Sequence, residues 1–328
     1  MQRIGLAGFG FIGKTHLEAY RKIKDAEVTA ICTSTAVGLE EVFDGTVLAD
    51  YDALLEREDI DVIDICVPTF LHEEYVIKAA RAKKHIICEK PLALTTEAVE
   101  RIMEVVREEG VQLFVGHVLR FWPEYRLIKE YAESDKLADV EFIHAQRLGT
   151  LPTWSDWFQY PEKSGGALFD LHIHDIDFVY HLLGEVESVY AAGKQNKYGA
   201  WNQVMTTLTF KSGAKAFVEA SHRMPSSFPF TAAIRVQSQQ EVMDYKLIAG
   251  ENMERISNRQ FVYYADNVCT SLQVEEEEAF QTELSYFIDC LENNKENLVI
   301  PLDDVLYVIG LMQEIEKSLI TGSEIKVL

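Results

Sequence analysis

The sequence contains no apolar run that approaches the roughly 20 residues needed for a membrane-spanning helix. Its first residues, Met1–Arg3, lead directly into a short strand-like run, so we expect no signal peptide. The five cysteines include no C-x-x-C pair, and their odd number argues against a disulfide framework. These absences predict a cytoplasmic protein that does not bind or cross a membrane.

Basic residues are also scarce. Lysine and arginine number 31 against 53 aspartates and glutamates, which gives a net charge of −22 and a pI near 4.8. Such a surface repels nucleic acid and anionic lipid, so we expect neither as a partner. Apolar residues are plentiful: they make up 48% of the 328 residues, enough for about two domains with large buried cores.

A glycine-rich turn follows the first apolar run, Ile4–Ala7, and precedes a stretch of helical composition over 15–23. In this context Gly8 permits a tight turn, Gly10 lets the backbone approach a pyrophosphate, and Gly13 allows close helix packing. The alternative is an ordinary tight turn. The predicted pyrophosphate-binding residues are Gly8, Gly10, Phe11, Ile12 and Gly13.

Strand and helix patterns alternate through the first third of the chain. Further strands are predicted at 28–32, 62–67, 85–88 and 112–116, and helices at 73–82 and 95–108. Alternation with right-handed crossovers builds a doubly wound parallel sheet. We therefore predict a dinucleotide-binding Rossmann domain over residues 1–118.

The carboxylate that usually binds the adenosine ribose is missing. About 20 residues after the glycines, the chain has Cys32, Thr33, Ser34 and Thr35. Small hydroxyl residues leave room for a 2′-phosphate, but no lysine or arginine between Lys24 and Arg57 would neutralise it. NAD and NADP both remain open, with NAD favoured, and Thr33 and Ser34 are the predicted ribose contacts. The region 36–50 is short for a full crossover helix.

Two further motifs follow strands: 66–72, which reads CVPTFLH, and 88–92, which reads CEKPL. With the glycine turn, they resemble the Gfo/Idh/MocA family of NAD(P)-dependent oxidoreductases, which includes inositol and glucose-fructose enzymes. The resemblance extends through 116–123, 165–177 and a C-terminal helix from Pro301 to Thr321 and Gly322. It implies cofactor contacts from Pro68, Thr69, His72, Glu89 and Lys90.

The resemblance also implies a second, α+β domain whose open, mainly antiparallel sheet often mediates oligomers. The residues support such a domain, because strict alternation stops after Pro123 and β-rich runs follow at 140–146, 186–192, 203–210, 214–221, 232–236 and 260–264. We predict a substrate-binding and oligomerisation domain over 119–328 and a homodimer or homotetramer assembled through its sheet. The acidic run 275–278 is expected to form the first turn of a helix.

The segment 165–177, GGALFDLHIHDID, places two histidines among three aspartates. Its pattern predicts a helix capped by Ser164 and stopped by Gly184, with Gly165 and Gly166 allowing close approach to a ligand. On a helix, Asp170 and His174 lie about 40° apart, while His172 lies about 200° from Asp170 on the apolar side. We therefore expect no metal here and interpret His172 as a core residue, with a contact in the substrate pocket as the alternative. Asp177 and His181 continue the polar stripe.

The family resemblance implies catalytic roles for Lys90, Asp170 and His174. Oxidation of a secondary alcohol requires a group that accepts the hydroxyl proton. In one interpretation Asp170 orients the substrate or the lysine and His174 takes the proton; in the other, Lys90 is the base and His174 orients. The predicted substrate contacts are Lys90, His117, Arg120, Trp157, Asp170 and His174, with Trp122, Trp154 and Tyr160 as further candidates.

The leading hypothesis is an NAD(P)-dependent oxidoreductase acting on a secondary alcohol or ketone of a sugar, cyclitol or similar polyhydroxy compound. A catalytically silent, cofactor-binding regulator of the same fold is the alternative. A metal-dependent hydrolase using Asp170, His172, His174 and Asp175 is disfavoured by the helical phase.

Overall fold

A computed structural model describes residues 1–35, 38–153, 155–250 and 256–327. The chain forms two compact units: 1–121 with 277–307, and 122–276 with 308–328. The predicted domain boundary between residues 118 and 119 remains a prediction. The segment 277–307, which that prediction assigned to the second domain, lies with the first unit.

The first unit contains a parallel sheet, as predicted. Its strands are β1 Gln2–Ala7, β2 Ala26–Cys32, β3 Thr46–Leu48, β4 Val62–Ile65, β5 His85–Glu89 and β6 Leu113–Gly116. They lie in the order β3-β2-β1-β4-β5-β6, and every pairing is parallel. This is the order of a doubly wound dinucleotide fold. Strand β3, which has three residues, is absent from the sequence-based prediction.

The helices of this unit follow the predicted alternation. Within residues 1–121 they are α1 Phe11–Tyr20, α2 Tyr51–Leu55, α3 His72–Arg81 and α4 Thr96–Glu109. The Thr95 side chain caps α4 by accepting the N–H of Ala98, and Gly110 ends it with φ 69°. Helix α1 begins at Phe11, immediately after the glycine turn, and not at residue 15. In the described residues between β2 and β3, the only helical element is a 3₁₀ turn, Leu39–Glu41, consistent with the predicted short crossover.

The second unit is built on a mainly antiparallel sheet. Its strands are β7 Phe142–Leu148, β8 Val186–Gln195, β9 Trp201–Phe210, β10 Lys215–Ser221, β11 Phe230–Gln237, β12 Val242–Ala249, β13 Ile256–Ala265, β14 Val268–Ser271 and β15 Ile325–Lys326. Within the described chain their order is β14-β13-β12-β11-β7-β10-β9-β8-β15, and only β7 and β10 pair in parallel. The six predicted strands are confirmed; β12, β14 and β15 were missed.

The remaining helices are α5 Pro123–Ala132, α6 Pro161–Ser164, α7 Ile173–Leu183, α8 Ala279–Glu292, which belongs to the first unit, and α9 Leu302–Thr321. Aromatic rings pack α5 and α7 against one face of the second sheet: Tyr125 meets Phe178 at 4.7 Å and Tyr245 at 5.8 Å, both edge-on. In the part of the chain that the structure describes, no helix has the length and apolar character to span a bilayer.

The acidic run 275–278 differs from its prediction. Helix α8 starts at Ala279, so these glutamates precede the first turn. Glu278 is the N-cap, and its carboxylate accepts the backbone N–H groups of Phe280 and Gln281 at 3.2 and 2.7 Å. Glu278 therefore satisfies two amides that a helix start leaves without partners.

Candidate active site

The glycine turn lies where strand order reverses, between β1 and β4. Gly8 has φ +96°, and a Cβ there would lie 2.6 Å from the Cys66 carbonyl oxygen. A Cβ on Gly13 would lie 2.2 Å from the carbonyl oxygen of Gly8, so this glycine allows α1 to pack closely, as predicted. Ligands of open α/β sheets bind at the carboxyl ends of strands at this point.

Gly10 differs from Gly8 and Gly13 in its surroundings. A Cβ on Gly10 would meet no described atom within 4 Å, and its φ is −78°. Neither packing nor backbone strain within the described chain accounts for glycine here. It is the N-cap of α1 without a side-chain hydrogen bond, so the first amides of the helix are available to an anion.

The loops after β4 and β5 are tied together by His72. This side chain is buried, and its two ring nitrogens lie 2.8 Å from the Pro91 carbonyl oxygen and 2.9 Å from that of Val67. Burial lowers the pKa of His72, although both carbonyls oppose that effect. His72 thus holds the segment that carries Lys90 in place. The backbone N–H of Lys90 donates to Glu89 Oε2 at 3.2 Å. The predicted contact of His72 with the cofactor remains a prediction.

Two predicted substrate contacts follow β6 in the first unit. His117 is 2% exposed. Arg120 is 4% exposed, and its Nη1 donates to Asp304 Oδ2 at 2.7 Å and to the Val299 carbonyl at 2.8 Å. These contacts give Arg120 a structural function in tying the end of β6 to the start of α9. Thr33 and Ser34, the predicted ribose contacts, directly follow β2.

In the second unit, the predicted single helix has two parts. Residues Leu168–His172 form a π-helical turn that leads into α7, which stops at Gly184 as predicted. Ser164 ends α6 and accepts the N–H of Gly166 at 3.0 Å. A Cβ on Gly166, with φ +68°, would lie 2.8 Å from the Trp201 carbonyl oxygen. The close approach that this glycine allows is therefore to β9 of the same chain.

Asp170 and His174 lie on the partly exposed side of this segment, in agreement with the helical phase. Asp170 Oδ2 is 3.1 Å from Nε2 of His222, a buried histidine that directly follows β10. His222 is absent from the sequence-based predictions. Its position after a strand end was a usable signal, but only the fold brings it to Asp170. Together these two side chains form a contacting carboxylate–imidazole pair, and His174 follows Asp170 by four residues.

The remaining polar residues of the segment have structural partners. His172 is fully buried, and its Nε2 lies 2.8 Å from the Thr206 hydroxyl. Asp175 forms a two-pronged ion pair with Arg147, at 3.0 and 3.1 Å. The hydrolase hypothesis needed both as metal ligands, so these contacts count against it. Asp177 is 1% exposed, so this member of the predicted polar stripe is buried.

Aromatic candidates for the substrate pocket receive partial support. Trp157 is partly exposed on a 3₁₀ turn, Asp156–Gln159, and stacks on Phe158 with ring centres 3.9 Å apart. Trp122 donates from Nε1 to the Tyr245 hydroxyl at 3.3 Å, which indicates a packing function. Trp154 lies outside the described residues.

Comparison with known proteins agrees with this architecture. Residues 2–117 match the family model described as "Oxidoreductase family, NAD-binding Rossmann fold", and residues 125–239 match "GFO/IDH/MocA C-terminal domain". The chain is similar to myo-inositol 2-dehydrogenase of Thermotoga maritima, with 34% identity across 67% of this chain and 69% of the relative. It is also similar to inositol 2-dehydrogenase of Rhizobium meliloti, with 29% identity across 78% and 77%.

Among solved structures, the aldose-aldose oxidoreductase of Caulobacter crescentus shares the fold, with a TM-score of 0.87 over 99% of each chain and 18% identity. The two family models match one half of the architecture each, and the myo-inositol 2-dehydrogenase matches two thirds of the chain. The chain therefore belongs to the Gfo/Idh/MocA family of NAD-binding oxidoreductases.

Proposed function

We propose that this chain is an NAD(P)-dependent dehydrogenase or reductase of a secondary alcohol or ketone in a sugar, cyclitol or related polyhydroxy compound. The observation that carries the proposal is the glycine turn at the β1–β4 switch point, and Gly10 in particular. Gly8 and Gly13 are explained by the chain's own backbone, whereas Gly10 has no such explanation in the described residues. Close approach of a pyrophosphate to the start of α1 supplies one.

The cofactor is assigned to residues at the carboxyl ends of the first sheet. The pyrophosphate would be held by the amides from Gly8 to Gly13, including those of Phe11 and Ile12. Thr33 and Ser34 would contact the ribose, and the nicotinamide half would lie against Pro68, Thr69, His72, Glu89 and Lys90. NAD is favoured over NADP because no cation between Lys24 and Arg57 is present to neutralise a 2′-phosphate.

Bound nicotinamide supplies the hydride acceptor, so the protein's task is to hold the alcohol and receive its proton. We assign that task to Lys90, Asp170 and His174. Lys90 polarises the substrate oxygen, Asp170 orients the hydroxyl, and His174 takes the proton; exchanging the roles of Lys90 and His174 gives the other interpretation. His222 is added as the residue that holds the Asp170 carboxylate, because their side chains lie 3.1 Å apart.

The substrate class is inferred from the relatives and from the residues. Two relatives are named inositol dehydrogenases, and a polyol site combines an aromatic wall with a few polar contacts. Trp157 would provide such a wall, with His117 as a further polar candidate. The structural contacts of Arg120 to Asp304 and Val299 make it a weaker candidate for direct substrate binding.

The experiment is a panel of inositols, sugars and their keto forms, tested with NAD and NADP by nicotinamide absorbance. We expect turnover of at least one polyol, and a loss of at least about 100-fold in kcat for Lys90→Ala. Lys22→Ala, at an exposed lysine of the same unit, is the matched control and should keep full kcat. Full turnover by Lys90→Ala would refute its role. NAD binding without turnover across the panel would favour a silent regulator.

We also propose that the protein self-associates through the outer face of its nine-stranded sheet and works in the cytoplasm. Tyr190, Met205 and Phe217 are each more than two-fifths exposed on neighbouring strands of that face. Cross-strand pairing places Tyr190 and Phe217 on either side of Thr207. An exposed aromatic patch of this kind favours burial against a second copy.

The proposed cytoplasmic location is supported by the cysteines. All five are free, as expected in a reducing compartment.

A further inference from the structure

Titratable side chains from four elements meet in the core of the first unit, beneath the glycine turn. The members of this buried cluster are His16 on α1, Asp64 in β4, Cys66 just after it, Glu89 at the end of β5, and Glu283 on α8. His16, Asp64 and Glu283 are at most 1% exposed, and Glu89 is 6% exposed. Burial of three carboxyl groups with one imidazole is costly unless their charges are matched.

Distances in the cluster identify hydrogen bonding as its organising interaction. His16 Nδ1 lies 2.8 Å from Asp64 Oδ2, and His16 Nε2 lies 3.2 Å from Glu89 Oε1. The second contact has ion-pair distance without the alignment of a hydrogen bond. The alternative is a metal site formed by His16, Asp64 and Cys66. Two ligand atoms of a tetrahedral zinc ion lie about 3.3 Å apart. The 2.8 Å contact between His16 and Asp64 is too short for that arrangement and normal for a hydrogen bond.

The protonation states that satisfy this geometry are a charged His16 and a neutral Glu283. Burial is the largest single effect and opposes the charge on His16, but the contacts with Asp64 and Cys66 together outweigh it and raise the pKa of His16 well above its ordinary value. Burial, with Glu89 nearby, raises the pKa of Glu283 well above its ordinary range. Burial likewise raises the pKa of Cys66 and of Tyr20, which also faces Asp64, so both stay neutral.

Glu89 connects this cluster to Lys90. Its Oε1 faces His16, while its Oε2 accepts the Lys90 backbone N–H at 3.2 Å. Gly116 leaves space for the carboxylate, because a Cβ there would lie 2.8 Å from Glu89 Oε1. The carboxylate is therefore held from one side by an imidazole and holds the lysine's backbone on the other.

We propose that His16 is a positioning residue: as an imidazolium bridging Asp64 and Glu89, it fixes the carboxylate that orients the Lys90 backbone. The positioning role rests on the proposed function of Lys90. The bridge, which is the contact of the His16 imidazolium with both Asp64 and Glu89, does not depend on that function. Loss of His16 leaves Glu89 without its buried counter-charge, so the carboxylate and the lysine attached to it lose their fixed position. Displacement of a reacting group by about 1 Å is enough to slow catalysis about 100-fold.

The bridge is tested without any substrate, by ¹⁵N NMR of the His16 ring in the full-length protein from pH 6 to 8.5. We expect the doubly protonated imidazolium pattern throughout, and its loss at pH 8.5 in Asp64→Asn. A neutral tautomer in the wild type at pH 7.5 would overturn the bridge. This measurement keeps its meaning if no polyol in the panel is turned over, an outcome that would count against the proposed function alone.

The positioning role is tested by His16→Gln and Glu89→Gln with the polyol and cofactor found in the panel. Each should lower kcat about 10- to 100-fold with little change in KM for the polyol. The double variant should lose no more than the worse single variant, because both changes break one connection. His85→Gln, at the opposite end of β5, is the control and should keep kcat. Unchanged kcat in folded Glu89→Gln, or equal loss in His85→Gln, would refute the role.

Discussion

Asp170 is paired with a histidine more than 50 positions away in the sequence. His222 is 4% exposed, so its ring is held by the surrounding structure and restricts the carboxylate 3.1 Å away. We predict that His222→Ala lowers kcat about 10- to 100-fold and changes the polyol KM much less, because the lost contact orients a reacting group. Steady-state kinetics measure both values.

The control for this prediction is His144→Ala, since His144 is exposed on β7 of the same unit. It should leave both constants within twofold of the wild type. Wild-type kcat in His222→Ala would show that Asp170 does not depend on this partner.

His172 should make the stability of the protein sensitive to acid. Burial lowers its pKa from 6.5 to about 3 in the folded protein. Between these pH values the unfolded chain binds a proton that the folded chain does not, so stability is lost as the pH falls below about 6.5. From pH 7.5 to 5.5, urea unfolding should show that the wild type loses about 1.4 kcal/mol more than His172→Gln. Equal losses in the two proteins would contradict the assignment.

At the scale of the element, the start of α8 offers a test of a single cap. Glu278 accepts two backbone amides, whereas Glu276 precedes the helix and is exposed. We expect Glu278→Ala to lower the free energy of unfolding by about 1 kcal/mol, because two amides lose their acceptor. Glu276→Ala should change it by less than about 0.5 kcal/mol. Urea denaturation of the two variants side by side measures the difference, and equal effects would argue against the cap.

Elements with a local signal were predictable from the sequence. Helix α4 has Thr95 at one end and Gly110 at the other, and the spacing of its apolar residues matches a helix. The same periodicity placed Asp170 and His174 on one partly exposed side and His172 in the core. Strand β12 was missed although Met243, Tyr245 and Leu247 alternate with polar residues, which is the usual mark of a half-buried strand.

Features that depend on distant residues were not predictable. The π-helical turn at 168–172 changes the local phase, and the contact of Gly166 with Trp201 depends on the course of β9. His222 reaches Asp170 only because the fold brings the end of β10 to that segment. His16, Glu89 and Glu283 lie far apart in the sequence, on three separate elements. No local sequence pattern could therefore predict that they form one cluster.

At the scale of the whole molecule, the open face of the nine-stranded sheet predicts self-association. Phe217 is 43% exposed there, with Tyr190 in the same cross-strand row. We expect Phe217→Lys to reduce the molar mass measured by light scattering toward that of one chain, because it places a charge in an apolar contact. Leu298→Lys, at a 73% exposed leucine in the first unit, should not change the mass. An unchanged mass in Phe217→Lys would exclude this face as the interface.

The discontinuous course of the first unit has a consequence for biosynthesis. Helix α8 supplies Phe287, whose ring lies 5.0 Å from that of Phe114 in β6, and it also supplies Glu283. During translation, residues 122–276 leave the ribosome before this helix does. The first unit therefore cannot complete its fold until most of the polypeptide has been made, because Phe114 and the His16 cluster lack their α8 partners until then. A chaperone that binds apolar segments would find its target on the nascent chain during that interval.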